Sequence, residues 1–138
     1  MNKLVKSVSS KTVYHEFLSA LNGILGLTNR ELALFEMIVE FEMNHTKDPN
    51  VTKNIICTAN RRVMMKTLNI TRDNLCRYIG KFKSLGYIVK GKTDGEWVLN
   101  RALVPVIIND RVQVTIILKV KDESRVNDSK GWFSYVMA

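Results

Sequence analysis

Catalysis needs nucleophiles, acids or metal ligands at set spacings, and this chain of 138 residues holds few of them. Cys57 and Cys76 stand 19 residues apart, and His15 and His45 are the two histidines. That is neither a disulfide framework nor a zinc pattern. Cys76 falls beside an apolar helical stripe and reads as a partly buried structural thiol. Glu36, Glu40 and Glu42 find no partner at a fixed spacing, so a solvated helix face accounts for them. There is no nucleophile elbow, phosphate-binding glycine loop or carboxylate dyad. The expectation is a protein that is not an enzyme and that uses no cofactor and no metal.

What the sequence does concentrate is positive charge. Residues 59–92 hold nine basic side chains, Arg61, Arg62, Lys66, Arg72, Arg77, Lys81, Lys83, Lys90 and Lys92, against one acid, Asp73. This window carries a net charge of +8, the formal charge of the whole chain, and the remainder sums to zero. A positive excess confined to one region is the footprint of polyanion binding. The alternative is a basic but merely solvated face.

The elements that must position these charges are predicted from periodicity and caps. Ser10 or Thr12 can cap a first helix bearing Val13, Phe17, Leu18, Leu21, Ile24 and Leu25 on one face. Thr28 and Glu31 form a capping box for a second helix, with Leu27 and Leu32 as a hydrophobic staple and Leu34, Phe35, Ile38 and Val39 as its stripe. His45–Asn50, with Pro49, ends it. Thr58 then caps a short helix through Val63, Met64, Met65 and Leu68, and Leu68-Asn69-Ile70 is a turn. Thr71 caps a fourth helix whose core stripe is Leu75, Ile79, Phe82 and Leu85, closed by Gly86 in the left-handed C′ position. Tyr87-Ile88-Val89 and Trp97-Val98-Leu99 read as strands about a turn at Gly91–Gly95.

Helix, three-residue turn, helix, glycine, strand, turn, strand is the order of a winged helix-turn-helix. The second helix of such a motif enters a groove about 12 Å wide and meets base edges with its N-terminal part. Opposite the core stripe lie Asp73, Asn74, Arg77, Gly80, Lys81 and Ser84. Arg77 suits guanine and Asn74 suits adenine, each by two hydrogen bonds. Lys81 and Lys83 suit phosphates, as do Arg61, Arg62 and Lys66 on the preceding helix and Lys90 and Lys92 on the wing. Thr71 and Arg72 at the helix start complete the candidate DNA-binding set. Asp73 can accept from cytosine, but pairing with Arg77 one turn on or favouring the positive helix N-terminus accounts for it better.

The segment Met65–Val89 resembles the winged-helix superfamily through Leu68, Ile70, Thr71, Leu85, Gly86, Tyr87 and Ile88. Within it, the segment is similar to bacterial, plasmid and phage regulators of the multiple-antibiotic-resistance repressor type, and to replication-initiator domains. The resemblance implies that positions Arg72, Asn74, Arg77 and Lys81 touch DNA. It also implies a transcriptional regulator or replication accessory of phage or plasmid type, in the cytoplasm (the host's, if phage-encoded). The alternative is a structural or adaptor protein, such as a virion or polymerase-associated component, using the scaffold for protein contacts.

The fold expected is α+β: about four helices with a β-hairpin wing over residues 1–101, and an added C-terminal hairpin and aromatic tail over 102–138. Val104–Ile108 and Val112–Val120 read as that hairpin, turning at Asn109-Asp110, with Val112, Val114, Ile116, Leu118 and Val120 on one face. Such a face needs a surface to cover it. That surface is either the protein's own helices or, through 104–120 and 132–137, a homodimer or protein partner. The aromatic ending Trp132–Val136 either folds back or docks as a peptide. No apolar run approaches the roughly 20 residues that span a bilayer, and the N-terminus lacks a signal-peptide core, so no membrane association is expected.

Overall fold

Three residues join the first two helices, and almost every polar group in the joint is used. In the computed structural model, which describes residues 5–45, 52–114, 116–120 and 134–137, α1 spans Val13–Leu25 and α2 spans Asn29–Met43. Gly26 closes α1 in the left-handed conformation (φ 66°), which costs a glycine nothing sterically. The Asn22 amide then clips the joint, accepting from Leu27 N and donating to Leu27 O, both at 3.0 Å. The capping box on α2 is complete: Thr28 Oγ1 accepts from Glu31 N, and Glu31 Oε1 accepts from Thr28 N. Thr12 is the N-cap residue of α1 but makes no side-chain cap bond.

The inner face of α2 departs from expectation. Glu31, Phe35, Ile38 and Glu42 follow one another at four, three and four residues, and all four are buried. Eleven residues are close to three helical turns, so the two carboxylates sit on one face about 16 Å apart. Glu42 is therefore not on a solvated face; its Oε1 accepts from Leu99 N at 3.2 Å and its Oε2 lies against the Lys53 ammonium. Glu36 is half-buried beside His15, and Glu40 is exposed.

The next helix, α3 (Thr58–Leu68), begins one residue earlier than its sequence cap suggests. Asn54 folds the preceding chain, its Oδ1 accepting from Ile56 N and its carbonyl from Cys57 N, so Cys57 occupies the N-cap and Thr58 is already helical. Met64 is the buried residue of α3, while Val63 is exposed. Asn69 turns the chain at φ 50°, ψ 52°, and buried Ile70 leads into α4 (Arg72–Ser84). Thr71 caps α4 by accepting from Asn74 N. At its far end Gly86 N bonds Lys83 O and Tyr87 N bonds Phe82 O, a Schellman closure with Gly86 at φ 78°. Leu85, the C-cap residue within this closure, is exposed, so the buried stripe of α4 ends at Phe82.

Two short strands follow, β1 (Ile88–Lys90) and β2 (Trp97–Leu99), paired antiparallel with Ile88 opposite Leu99 and Lys90 opposite Trp97. Asn54 forms a parallel bridge to Trp97, and Ile55 N donates to Trp97 O at 3.1 Å. The hairpin thus gains a rudimentary third strand that the sequence reading lacked. Tyr87 ties it to α1 by donating its hydroxyl to Leu25 O, and its ring packs near Phe35, which meets Phe82 edge-on at 5.1 Å. A 3₁₀ turn at Arg101–Leu103 buries Leu103. These residues, with α1 to β2, belong to a compact unit ending at Val104.

In the second compact unit, Pro105–Ala138, the regular elements among the described residues are strands. Asn109 and Asp110, at φ 52° and 60°, form the tight turn between β3 (Ile107–Ile108) and β4 (Arg111–Val112). Proline offers no N–H to a ladder, and Pro105 precedes this short pairing. The single long hairpin expected here is in fact two. β5 (Ile116–Lys119) takes β6 (Ser134–Met137) as its antiparallel partner, so the end of the chain folds back. The side chains that would define the apolar face of 116–119, together with Trp132 and Phe133, lie outside the described residues. Among the described residues no helix is long and apolar enough to cross a membrane.

Asn69 holds the turn because its short amide tolerates the left-handed region that other side chains resist at about 1–2 kcal/mol. Asn69→Gly should leave the urea midpoint nearly unchanged, whereas Asn69→Val should lower stability by about 1–2 kcal/mol.

Candidate nucleic-acid interface

The basic residues of 59–92 come from α3, α4 and the β1–β2 hairpin, and they divide into groups with different surroundings. Arg62, Lys66, Arg72 and Lys92 are exposed. Thr71 is spent on the cap of α4. Arg77, also exposed, donates from Nη2 to Asn74 Oδ1 at 3.0 Å, and its guanidinium lies 5.6 Å from the Tyr78 ring centre. Arg77 and Asn74 therefore act as a coupled pair one turn into α4. Gly80, a turn beyond, has open space where a Cβ would stand.

Lys81 is exposed too, but it is committed to an ion pair. Its ammonium lies 2.8 Å and 3.0 Å from the two oxygens of Glu31, on the flank of α4 turned toward α2. Burial disfavours the charged Glu31 carboxylate most strongly, yet the hydrogen bonds from Lys81 and from the Thr28 backbone and hydroxyl together outweigh it. They hold the pKa below the ordinary 4.5. Among the described residues Lys81 is the only basic side chain of 59–92 that forms an ion pair.

The opposite flank of α4 gathers cations that form no ion pair among the described residues. Lys83 Nζ sits 3.9 Å above the Trp97 ring centre, and Lys90 Nζ approaches the same ring at 5.8 Å. Arg61 reaches across from α3, donating from Nε to Ile56 O at 2.7 Å while its Nη1 lies 3.8 Å from Cys76 Sγ. Burial, then the charges of Arg61 and Lys90, push the Lys83 ammonium below its ordinary pKa, with Cys76 opposing. Cys76 is exposed rather than partly buried, because its position on α4 faces this flank and not the core. Cys57 is half-buried.

The hairpin tip is electrically different from its base. Lys92 and Asp94 are both exposed there, and Glu96 folds back so that its Oε2 accepts from Thr93 N at 3.1 Å. A Cβ on Gly91 would collide with the Glu96 carboxyl, so the glycine leaves room for this hook.

Trp97 had no role in the sequence reading, although its place in the returning strand opposite Lys90 was legible. The burial of Glu31 and Glu42 had a signal too, in their shared spacing with Phe35 and Ile38. The partnership of Lys81 with a residue 50 positions earlier had none. Among the described residues no three His, Cys, Asp or Glu side chains converge as metal ligands. Compared with protein-family models, with curated proteins and with solved structures, the chain matches none.

The lowered pKa of Glu31 makes a stability prediction with a definite sign. A carboxylate depressed by folding stabilises fully above its unfolded pKa, and that contribution fades as pH falls through the folded value. Glu31→Gln should therefore cost about 1–2 kcal/mol near pH 7. In urea titrations repeated at progressively lower pH, the gap between variant and parent should narrow.

Proposed function

We propose that residues 54–99 bind duplex DNA as a winged helix-turn-helix, without catalysing a reaction. The observation that carries this reading is the set of eight basic side chains on α3, α4 and the hairpin that have no carboxylate partner among the described residues. Gathering like charges raises the self-repulsion of the folded state. A partner of opposite charge removes that repulsion, and the phosphate backbone supplies one negative charge about every 1.7 Å of duplex.

The layout suits that partner. The Asn69 turn and buried Ile70 set the angle between α3 and α4, and Thr71 leaves the first turn of α4 rigid and capped. Asn74 and Arg77 lie on that exposed first half, where base edges are met in motifs of this kind. Both have side chains able to make paired hydrogen bonds to a purine. Arg62, Lys66 and Arg72 flank them as phosphate contacts. On this reading the chain is a transcriptional regulator or replication accessory of phage or plasmid type, acting where such DNA lies, in the cytoplasm.

Fluorescence anisotropy of labelled duplexes across a salt series tests the proposal. With about four phosphate contacts the logarithm of affinity should fall against that of salt with a slope of about −3.6, roughly 100-fold for a fourfold rise in salt. Arg77→Ala should relax discrimination at one base position by about 1–3 kcal/mol, whereas Lys66→Ala should weaken all sequences alike. Absence of any duplex binding at low salt overturns the reading.

A further inference from the structure

We propose that Lys83 and Lys90, which share the Trp97 ring, together with Arg61, which reaches the same flank beside Cys76, form the principal phosphate anchor, so that the duplex backbone seats on the α3–hairpin-base flank of α4 with Lys81 outside the contact. This rests on the reading of the chain as a DNA-binding protein and adds where, and by which charges, the DNA is held.

Three observations converge on this flank. The first is geometry: two ammonium groups share the Trp97 ring, and the Arg61 side chain is fixed beside them by its bond to Ile56 O. A preassembled group of donors gives up less conformational entropy on binding than separate flexible lysines do. The second is the contrast with the other flank. A phosphate that drew Lys81 away would leave Glu31, whose side chain is 7% exposed, without its counter-charge, and uncompensated buried charge is costly. The third is the hairpin itself, whose tip region carries the acids Asp94 and Glu96 along with Lys92, whereas Lys90, at the base, lies against Trp97.

The site has a titration signature. The groups facing Lys83 are Arg61 on α3, Lys90 on β1, Cys76 on its own helix and the Trp97 ring on β2. In the free protein burial and the two cations lower the Lys83 pKa; a bound phosphate favours the charged amine and raises it again. Affinity is therefore greatest while free Lys83 is protonated and declines as pH rises through its lowered value. An arginine stays protonated throughout this range, so Lys83→Arg should bind normally at neutral pH and lose that alkaline decline.

Anisotropy with one random-sequence duplex supplies the test. Lys83→Ala with Lys90→Ala should weaken binding roughly fivefold or more for each charge and make the salt slope shallower by about 2. The charge-neutral pair Glu31→Gln with Lys81→Gln should stay within about twofold of the parent; circular dichroism confirms that each variant is folded. The anchor is overturned if the Lys83/Lys90 variant binds like the parent while Arg77→Ala or Lys66→Ala loses binding, a result that leaves the DNA reading intact. If the parent binds no duplex at low salt, the DNA reading fails. The anchor is then judged with inorganic polyphosphate, read from Trp97 emission in a Trp132→Phe chain that retains one tryptophan. A change lost with Lys83 and Lys90 upholds a phosphate site, and no change overturns it.

Discussion

Two carboxylates removed from water at opposite ends of one face of α2 fix the relation between the parts of the first unit. Glu31 holds α4 through Lys81, and Glu42 holds β2 through the Leu99 amide and the incoming chain through Lys53. Between them Phe35 and Ile38 carry the apolar contact, with Phe35 meeting both Phe82 of α4 and Tyr87 at the head of the hairpin. Apolar burial alone is non-directional. The terminal hydrogen-bonded charges add direction, because a buried carboxylate tolerates only a narrow set of partner positions. α4 and the hairpin are thereby referred to the same helix, and so to each other.

What was legible in the sequence follows from the range of the interactions. The capping box at Thr28 and Glu31, the Asn69 turn, the Thr71 cap and the Gly86 closure are settled within about six residues, and all appear where the residue types indicate. Their chemistry lies in backbone donors that must be satisfied locally. The departures at Glu42, Lys81, Cys76 and Leu85 share the opposite cause. Each residue sits at the margin of a helical stripe, where a wheel does not distinguish exposure from contact with a third element. Asn54 is a further case: neither periodicity nor composition marks a single bridge residue, and its partner Trp97 lies 43 positions away.

The second unit shows the same limit in strands. A two-residue turn with positive φ at both positions was readable from Asn109-Asp110, since these residue types tolerate that conformation. How far pairing extends from the turn, and which segment covers β5, is decided by competition among edges. The aromatic ending wins that competition by pairing Ser134–Met137 along β5, an outcome that depends on chain closure rather than on either segment alone.

Charge placement then takes on a structural logic beyond its sum. Acids and bases are balanced outside 59–92, and inside it Lys81, the one cation ion-paired among the described residues, serves the frame that holds α4. The other eight have no carboxylate partner among the described residues, and burial, followed by the nearby charges of Arg61 and Lys90, depresses the pKa of Lys83. An indole face is one of the few neutral surfaces that attracts an ammonium group, so Trp97 lets the fold bring Lys83 and Lys90 together without a carboxylate. A carboxylate in that place would have relieved the repulsion within the protein and competed with any polyanion for the same groups. The aromatic ring holds the charges in position and leaves them uncancelled, which is the condition a phosphate-binding surface has to meet.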